Sequence, residues 1–166
     1  MEKVYIAVYK SRRLVHALKV VSVVASAVFA IAFGLLLYHA FKISFSFSLI
    51  IFFGSASSFF AVSLARRIIG APRPCDFYDC IPKTEHEIKK RSFPSRHAFS
   101  AFFISFLILP FNVFLGISLI AVSTVMCVCR VLLGIHFIRD VAAGGIVGAL
   151  SGLFLFYVAS FFCQIA

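Results

Sequence analysis

The chain has 166 residues, of which 62% are hydrophobic and 13% charged, with a mean hydropathy of +1.05. A soluble domain of that size cannot hide so much apolar surface, so composition excludes a soluble enzyme or binding module and points to an integral membrane protein. A net charge of +10 would suggest nucleic acid in a soluble chain, but here most Lys and Arg flank apolar runs. The expected partners are therefore membrane lipids and not nucleic acid.

Residues 1–19 carry Lys3, Lys10, Arg12, Arg13 and Lys19 with apolar residues between them, which predicts a basic interfacial helix. Charge interrupts this stretch too often for a cleavable signal peptide. Residues 20–38 form a first predicted span, and residues 43–65, rich in Ser and Phe, a second. Residues 66–93 are the one long polar loop. From His97 to Cys129 there are 33 residues without Asp, Glu, Lys or Arg. As one helix these would reach about 50 Å, well beyond a hydrocarbon core of about 30 Å. The sequence LPFN at 109–112 divides them into a short third span and a fourth. The fifth runs over 137–163 and carries Gly144, Gly148 and Gly152 at four-residue spacing, a ridge suited to close helix packing. The expectation is an all-α polytopic membrane helix bundle of about five transmembrane helices, residues 1–166 forming a single domain. Parity then puts the N-terminus, the 66–93 loop and the 130–140 segment on one side and the C-terminus on the other.

Cys127, Cys129 and Cys163 lie in apolar segments and read as small hydrophobes. Cys75 and Cys80 share the polar loop, where they form a disulfide in an oxidising compartment or stay as thiols otherwise. A zinc site from Cys75, Cys80 and His86 lacks a recognised ligand spacing. No metal and no cofactor are expected.

Most boundary Lys and Arg anchor spans. Asp140 does not fit that pattern: it is the only carboxylate after Glu87, and an acid at a span needs a partner. His136 precedes it by four, so on a helix both face the same way. Asp140 would accept a hydrogen bond from one ring nitrogen of His136, leaving the other as an outward lone pair. That is the arrangement of a nucleophile or base; a structural His–Asp pair is the alternative. Arg66, Arg73 and Arg130 come from segments that topology puts on the same side. Such arginines repel in a dry site unless they share an anion, and phosphate matches their forked donors. In PSRH, Pro94 and Ser95 sit at a helix start, where free amides favour an anion, and His97 stands in that first turn.

These segments resemble the type-2 phosphatidic acid phosphatase family, membrane lipid phosphatases related to bacterial acid phosphatases and vanadium haloperoxidases. The motif K-x6-R-P is met by RRIIGAPRP, Arg66 to Pro74, with Arg for Lys. P-S-G-H is met by PSRH, Pro94 to His97, with Arg96 for Gly. S-R-x5-H-x3-D is met by CRVLLGIHFIRD, Cys129 to Asp140, with Cys for Ser. Order and internal spacing are kept over residues 66–140. The resemblance implies a phosphatidic-acid-phosphatase/haloperoxidase-like core and metal-independent hydrolysis of a lipid phosphate. In it His136 attacks phosphorus to form a phosphohistidine, Asp140 orients His136, and His97 protonates the leaving oxygen. Arg66, Arg73, Ser95 and Arg130 bind the phosphoryl group, and Arg96 either joins them, crowds the amide site or turns to the headgroups.

The expected substrate is a phosphate monoester or diphosphate of a lipid: a polyprenyl (di)phosphate such as undecaprenyl phosphate, phosphatidic acid or phosphatidylglycerophosphate. A lipid phosphotransferase and a non-catalytic anion-binding or transport protein are the alternatives. The expected location is a bacterial plasma membrane, crossed several times. Of the 16 Lys and Arg, only Lys42 falls opposite the motifs, which favours a cytoplasmic site. The family core commonly has six spans with the motifs after the third, which favours an outward-facing one.

Overall fold

The computed structural model describes residues 1–78 and 92–164. Its described residues form helices and connections and no strand. In chain order they are α1 (Glu2–Lys10), α2 (Arg12–Ile43), α3 (Phe45–Ile69), a single 3-10 turn (Pro74–Asp76), α4 (Arg96–Ile108), α5 (Val113–Leu132) and α6 (Ile138–Cys163). Among them α2, α3, α5 and α6 are long and apolar enough to cross a membrane. The shorter α4, at 13 residues, reaches only about 20 Å, in line with the short third span.

Several boundaries differ from the sequence reading, each for a local reason. The basic segment is not one interfacial helix. Ser11 breaks it, and its side chain caps α2 by accepting from the Leu14 amide at 3.3 Å, so residues 12–19 are the exposed first turns of the long α2. Helix α3 runs past residue 65 to Ile69 and stops at Gly70, whose φ of 58° is left-handed and costs least in glycine. Arg66 therefore sits in the last turn of a helix and not in the loop. The break at 109–112 is a turn closed by Asn112, whose Oδ1 accepts from the Leu115 amide at 2.9 Å and starts α5.

Helix α4 is the inner element. Ala98, Phe99, Ala101, Phe103, Ser105, Leu107 and Ile108 are all buried along it. The Gly144, Gly148 and Gly152 ridge packs against its backbone. A Cβ built on Gly144 would lie 2.5 Å from the Ser95 carbonyl oxygen, on Gly148 2.3 Å from that of Phe99, and on Gly152 2.4 Å from that of Phe103. These three glycines let α6 lie directly on α4. At one end of the bundle Phe111 meets His39, Phe47 and Phe156, with ring centroids 5.1–6.0 Å apart. At the other end α1 lies over the polar segments: the Tyr9 hydroxyl donates to the Leu133 carbonyl at 3.0 Å, and the Tyr5 and Tyr78 rings meet at 5.3 Å. The N-terminal helix, the 70–78 segment and the α5–α6 connection thus share one end, as parity requires, and α6 finishes at the other.

Candidate active site

The polar end is assembled around residues 92–95, which touch both flanking segments. The Ser92 amide donates to the Ala71 carbonyl at 2.8 Å, and the Arg66 guanidinium donates to the Pro94 carbonyl at 3.2 Å. On the opposite side the Ser95 amide donates to the Asp140 carbonyl at 3.0 Å. Three stretches far apart in sequence are tied here by backbone groups that would otherwise be buried and unpaired. Ser95 then caps α4, its Oγ accepting from the Ala98 amide at 3.4 Å. The hydroxyl keeps its own proton to donate. With the Ser95 and Ala98 amides engaged, those of Arg96 and His97 remain as first-turn donors.

His136 and Asp140 do meet, but not in the way i,i+4 spacing predicts. His136 lies before α6, which starts at Ile138 with Phe137 as its N-cap, so the two do not share a helical face. Asp140 is instead the third residue of α6 and folds back over the helix start. Its Oδ2 accepts from the Phe137 amide at 3.0 Å, the acidic half of a capping box. That return brings Oδ2 to 3.6 Å from His136 Nδ1, too long for a direct hydrogen bond. Ser92 fills the gap. Its hydroxyl donates to Asp140 Oδ2 in a short contact, and its oxygen lies 3.3 Å from His136 Nδ1. Sequence reasoning missed Ser92, since nothing in its neighbours distinguishes it from the other serines of the chain. It also missed Arg139, exposed, whose Nε lies 3.7 Å from Asp140 Oδ1.

His136 is buried, at 2% exposed, and Asp140 fully so. Burial pushes the His136 pKa below its ordinary value, against the Asp140 carboxylate, which pulls it up. The guanidiniums of Arg66, Arg130 and Arg73 add to the downward push. The predicted arginine cluster therefore converges on this ring. Arg66 is buried and spends one nitrogen on Pro94. The Nε atoms of Arg73 and Arg130 are buried without a hydrogen-bond partner among the described residues. His97 stands within electrostatic reach of Arg130, His136, Arg96 and Arg66. With Arg96 it lines a cavity of about 220 Å³ whose walls include Phe29, Phe59 and Met126. Arg96 itself is exposed and holds its guanidinium over the Phe59 ring, 5.9 Å from the centroid. It therefore lies on the α3 side of His97. Cys75 is buried; Cys80 and His86, the other members of the disulfide and zinc readings, lie outside the described residues, as do residues 79–91 of the 66–93 loop.

An all-helical bundle that crosses the membrane several times and gathers two histidines, an aspartate and several arginines at one end defines a polytopic membrane protein with a buried polar site. The chain belongs to the PAP2 superfamily, whose family model matches residues 47–162, a range that holds all three motifs. The bacitracin transport permease protein BcrC of Bacillus licheniformis is 41% identical over 75 residues, 45% of this chain and 36% of that protein. The matched stretch thus spans little more than a third of that relative. In fold, the chain is similar to the first transmembrane PAP2 type phosphatidylglycerolphosphate phosphatase crystallised from Bacillus subtilis. The TM-score is 0.59 at 19% identity, over 96% of this chain and 84% of that one.

Proposed function

We propose that this protein is a membrane lipid phosphatase that hydrolyses a lipid phosphate monoester or diphosphate through a phosphohistidine on His136. The observation that carries this reading is the environment of His136: a buried ring with Nδ1 turned to Ser92 and Asp140, surrounded by guanidiniums of three segments. With Nδ1 engaged, Nε2 is the nitrogen free to attack phosphorus. The lowered pKa keeps the ring neutral, and so nucleophilic, at physiological pH.

In the first step the Nε2–P bond forms as the bond from phosphorus to the lipid oxygen breaks, and His97, holding a proton once the anionic phosphate offsets the guanidiniums around it, gives that oxygen its proton. In the second, His97 takes a proton from water, whose oxygen bonds to phosphorus as the N–P bond breaks. Free phosphate leaves and both histidines return to their starting state. Arg73 and Arg130 direct buried Nε donors with no partner among the described residues, and Arg66 the donors not spent on Pro94, at the phosphoryl oxygens, where charge builds in the transition state. The Ser95 hydroxyl and the amides of Arg96 and His97 add a helix-start anion site. Arg96 supplies a further phosphate contact from the α3 side. The lipid character of the substrate follows from the apolar cavity beside His97 and the membrane-crossing helices around it. The fold shared with a PAP2 type phosphatidylglycerolphosphate phosphatase supports the same class.

Purified protein should release phosphate from at least one member of a panel of polyprenyl diphosphate, polyprenyl phosphate, phosphatidic acid and phosphatidylglycerophosphate. His136→Ala should lower that release by about 10³-fold or more, as expected for loss of a covalent nucleophile. Equal release by wild type and variant on every substrate would end the phosphatase reading.

A further inference from the structure

We propose that Ser92 is a positioning residue for the nucleophile, acting as the link through which Asp140 holds His136. The inference rests on the reading of His136 as the attacking group. Ser92 is fully buried, and its place is fixed by backbone: its amide donates to the Ala71 carbonyl at 2.8 Å. Its hydroxyl has one proton, and that proton goes to Asp140 Oδ2. The Ser92 oxygen, 3.3 Å from His136 Nδ1, is then left as an acceptor. Only a protonated Nδ1 satisfies it. The chain Nδ1–H to Ser92 Oγ, then Ser92 O–H to Asp140, selects the tautomer with its lone pair on Nε2.

Direct contact between the ring and the carboxylate cannot do the same in this arrangement. Asp140 Oδ2 stands 3.6 Å from Nδ1 and already receives the Phe137 amide at 3.0 Å, which ties it to the α6 start. When Nε2 bonds to phosphorus the ring becomes cationic. Ser92 then carries the carboxylate's stabilisation to it, because hydrogen bonds in series polarise one another. Ser92 also belongs to the segment that Arg66 and Ser95 tie to the site. A change in that segment is transmitted to the ring through one hydroxyl.

The test is a kinetic cycle on the full-length protein in detergent or lipid, with whichever lipid phosphate of the panel it hydrolyses. Ser92→Ala should lower kcat by about 10- to 100-fold with KM little changed, the loss expected when a hydrogen bond to a developing charge is missing. Ser92→Thr, which keeps the hydroxyl, should recover most of the rate. In an Asp140→Asn background, Ser92→Ala should cost much less than in wild type, because the two act as one unit. Three results would overturn the inference: wild-type kcat in Ser92→Ala, equal losses in the Ala and Thr variants, or full additivity with Asp140→Asn. Should Ser92→Ala fail to fold, Ser92→Cys, close in size but only a weak donor, takes its place in the comparison with Thr and in the cycle with Asp140→Asn. Full activity in His136→Ala would instead remove the phosphohistidine reading itself.

Discussion

His136 holds its ring under opposing influences. Burial and the guanidiniums of Arg66, Arg130 and Arg73 disfavour a proton on it, while the Asp140 carboxylate favours one. Burial leads, and the native ring binds its proton less tightly than an unfolded one. Two consequences share a sign. As pH falls below the ordinary histidine value of about 6.5, the unfolded chain takes up a proton that the native ring refuses, so stability is lost toward acid. Activity falls only when the native ring is itself protonated, at lower pH. The acid limb of kcat/KM should therefore have its midpoint below about 6.5; a pH–rate profile with its midpoint at or above that value would contradict this environment. At this scale the sequence was informative about identities and less so about partners. Asp140 stood out as a lone acid at a span, and motif spacing carried His97, Arg66, Arg73 and Arg130. What it hid was the geometry between them. Helical i,i+4 logic placed His136 beside Asp140 for the wrong reason, because a helix start intervenes. The hydroxyl that joins them comes from a segment more than 40 residues away.

At the scale of elements, the α4–α6 contact holds the two halves of the site together, since α4 begins at Ser95 and α6 at Phe137. That contact depends on missing side chains. A Cβ at Gly148 would sit 2.3 Å from the Phe99 carbonyl oxygen and 3.1 Å from the Phe103 amide nitrogen, both backbone atoms of a helix that cannot yield alone. Gly148→Ala should force α6 off α4 and cost about 1–3 kcal/mol, read as a lower midpoint in thermal or denaturant unfolding in detergent. Activity should fall with it, because the Ser95 to Asp140 backbone bond spans the same seam. Gly34, on α2, has nothing within 4 Å of its Cβ position, so Gly34→Ala should be neutral or stabilising by up to about 1 kcal/mol. A Gly148→Ala protein as stable as Gly34→Ala would show the seam to be adjustable. The glycine ridge was legible from its spacing, as were the apolar cores of the spans. The helix ends were not. Arg12, Arg13, Lys19 and Arg66 look like boundaries in a hydropathy reading, yet helices continue through them until Ser11 and Gly70 end them by capping.

At the scale of the whole molecule, the remaining question is which leaflet supplies the substrate. The helix directions fix the relation of the parts. α3 and α5 end at the site, α4 and α6 start there, and α2 starts beside it under α1. The N-terminus and the site thus share a side, and the end of α6 lies on the other. Among the described residues Lys42 is the only Lys or Arg at the far end, while Lys3, Lys10, Arg12, Arg13, Lys19, Arg67 and Arg139 accompany the site without belonging to its arginine cluster. Positive charge flanking short connections is retained in the cytoplasm, so we predict a cytoplasmic site that draws lipid phosphate from the inner leaflet. Native Cys75 is a poor probe of this, being 1% exposed. Phe77, in the same segment and 63% exposed, is a better position. In intact cells Phe77→Cys should resist a membrane-impermeant thiol reagent and react once the membrane is opened. A reporter active only outside the cytoplasm should work when fused to the C-terminus and fail at the N-terminus. Labelling of Phe77→Cys in intact cells, together with the reverse reporter pattern, would turn the molecule over. The substrate would then come from the outer leaflet, and the charge asymmetry would serve phosphate and headgroup binding instead of topology.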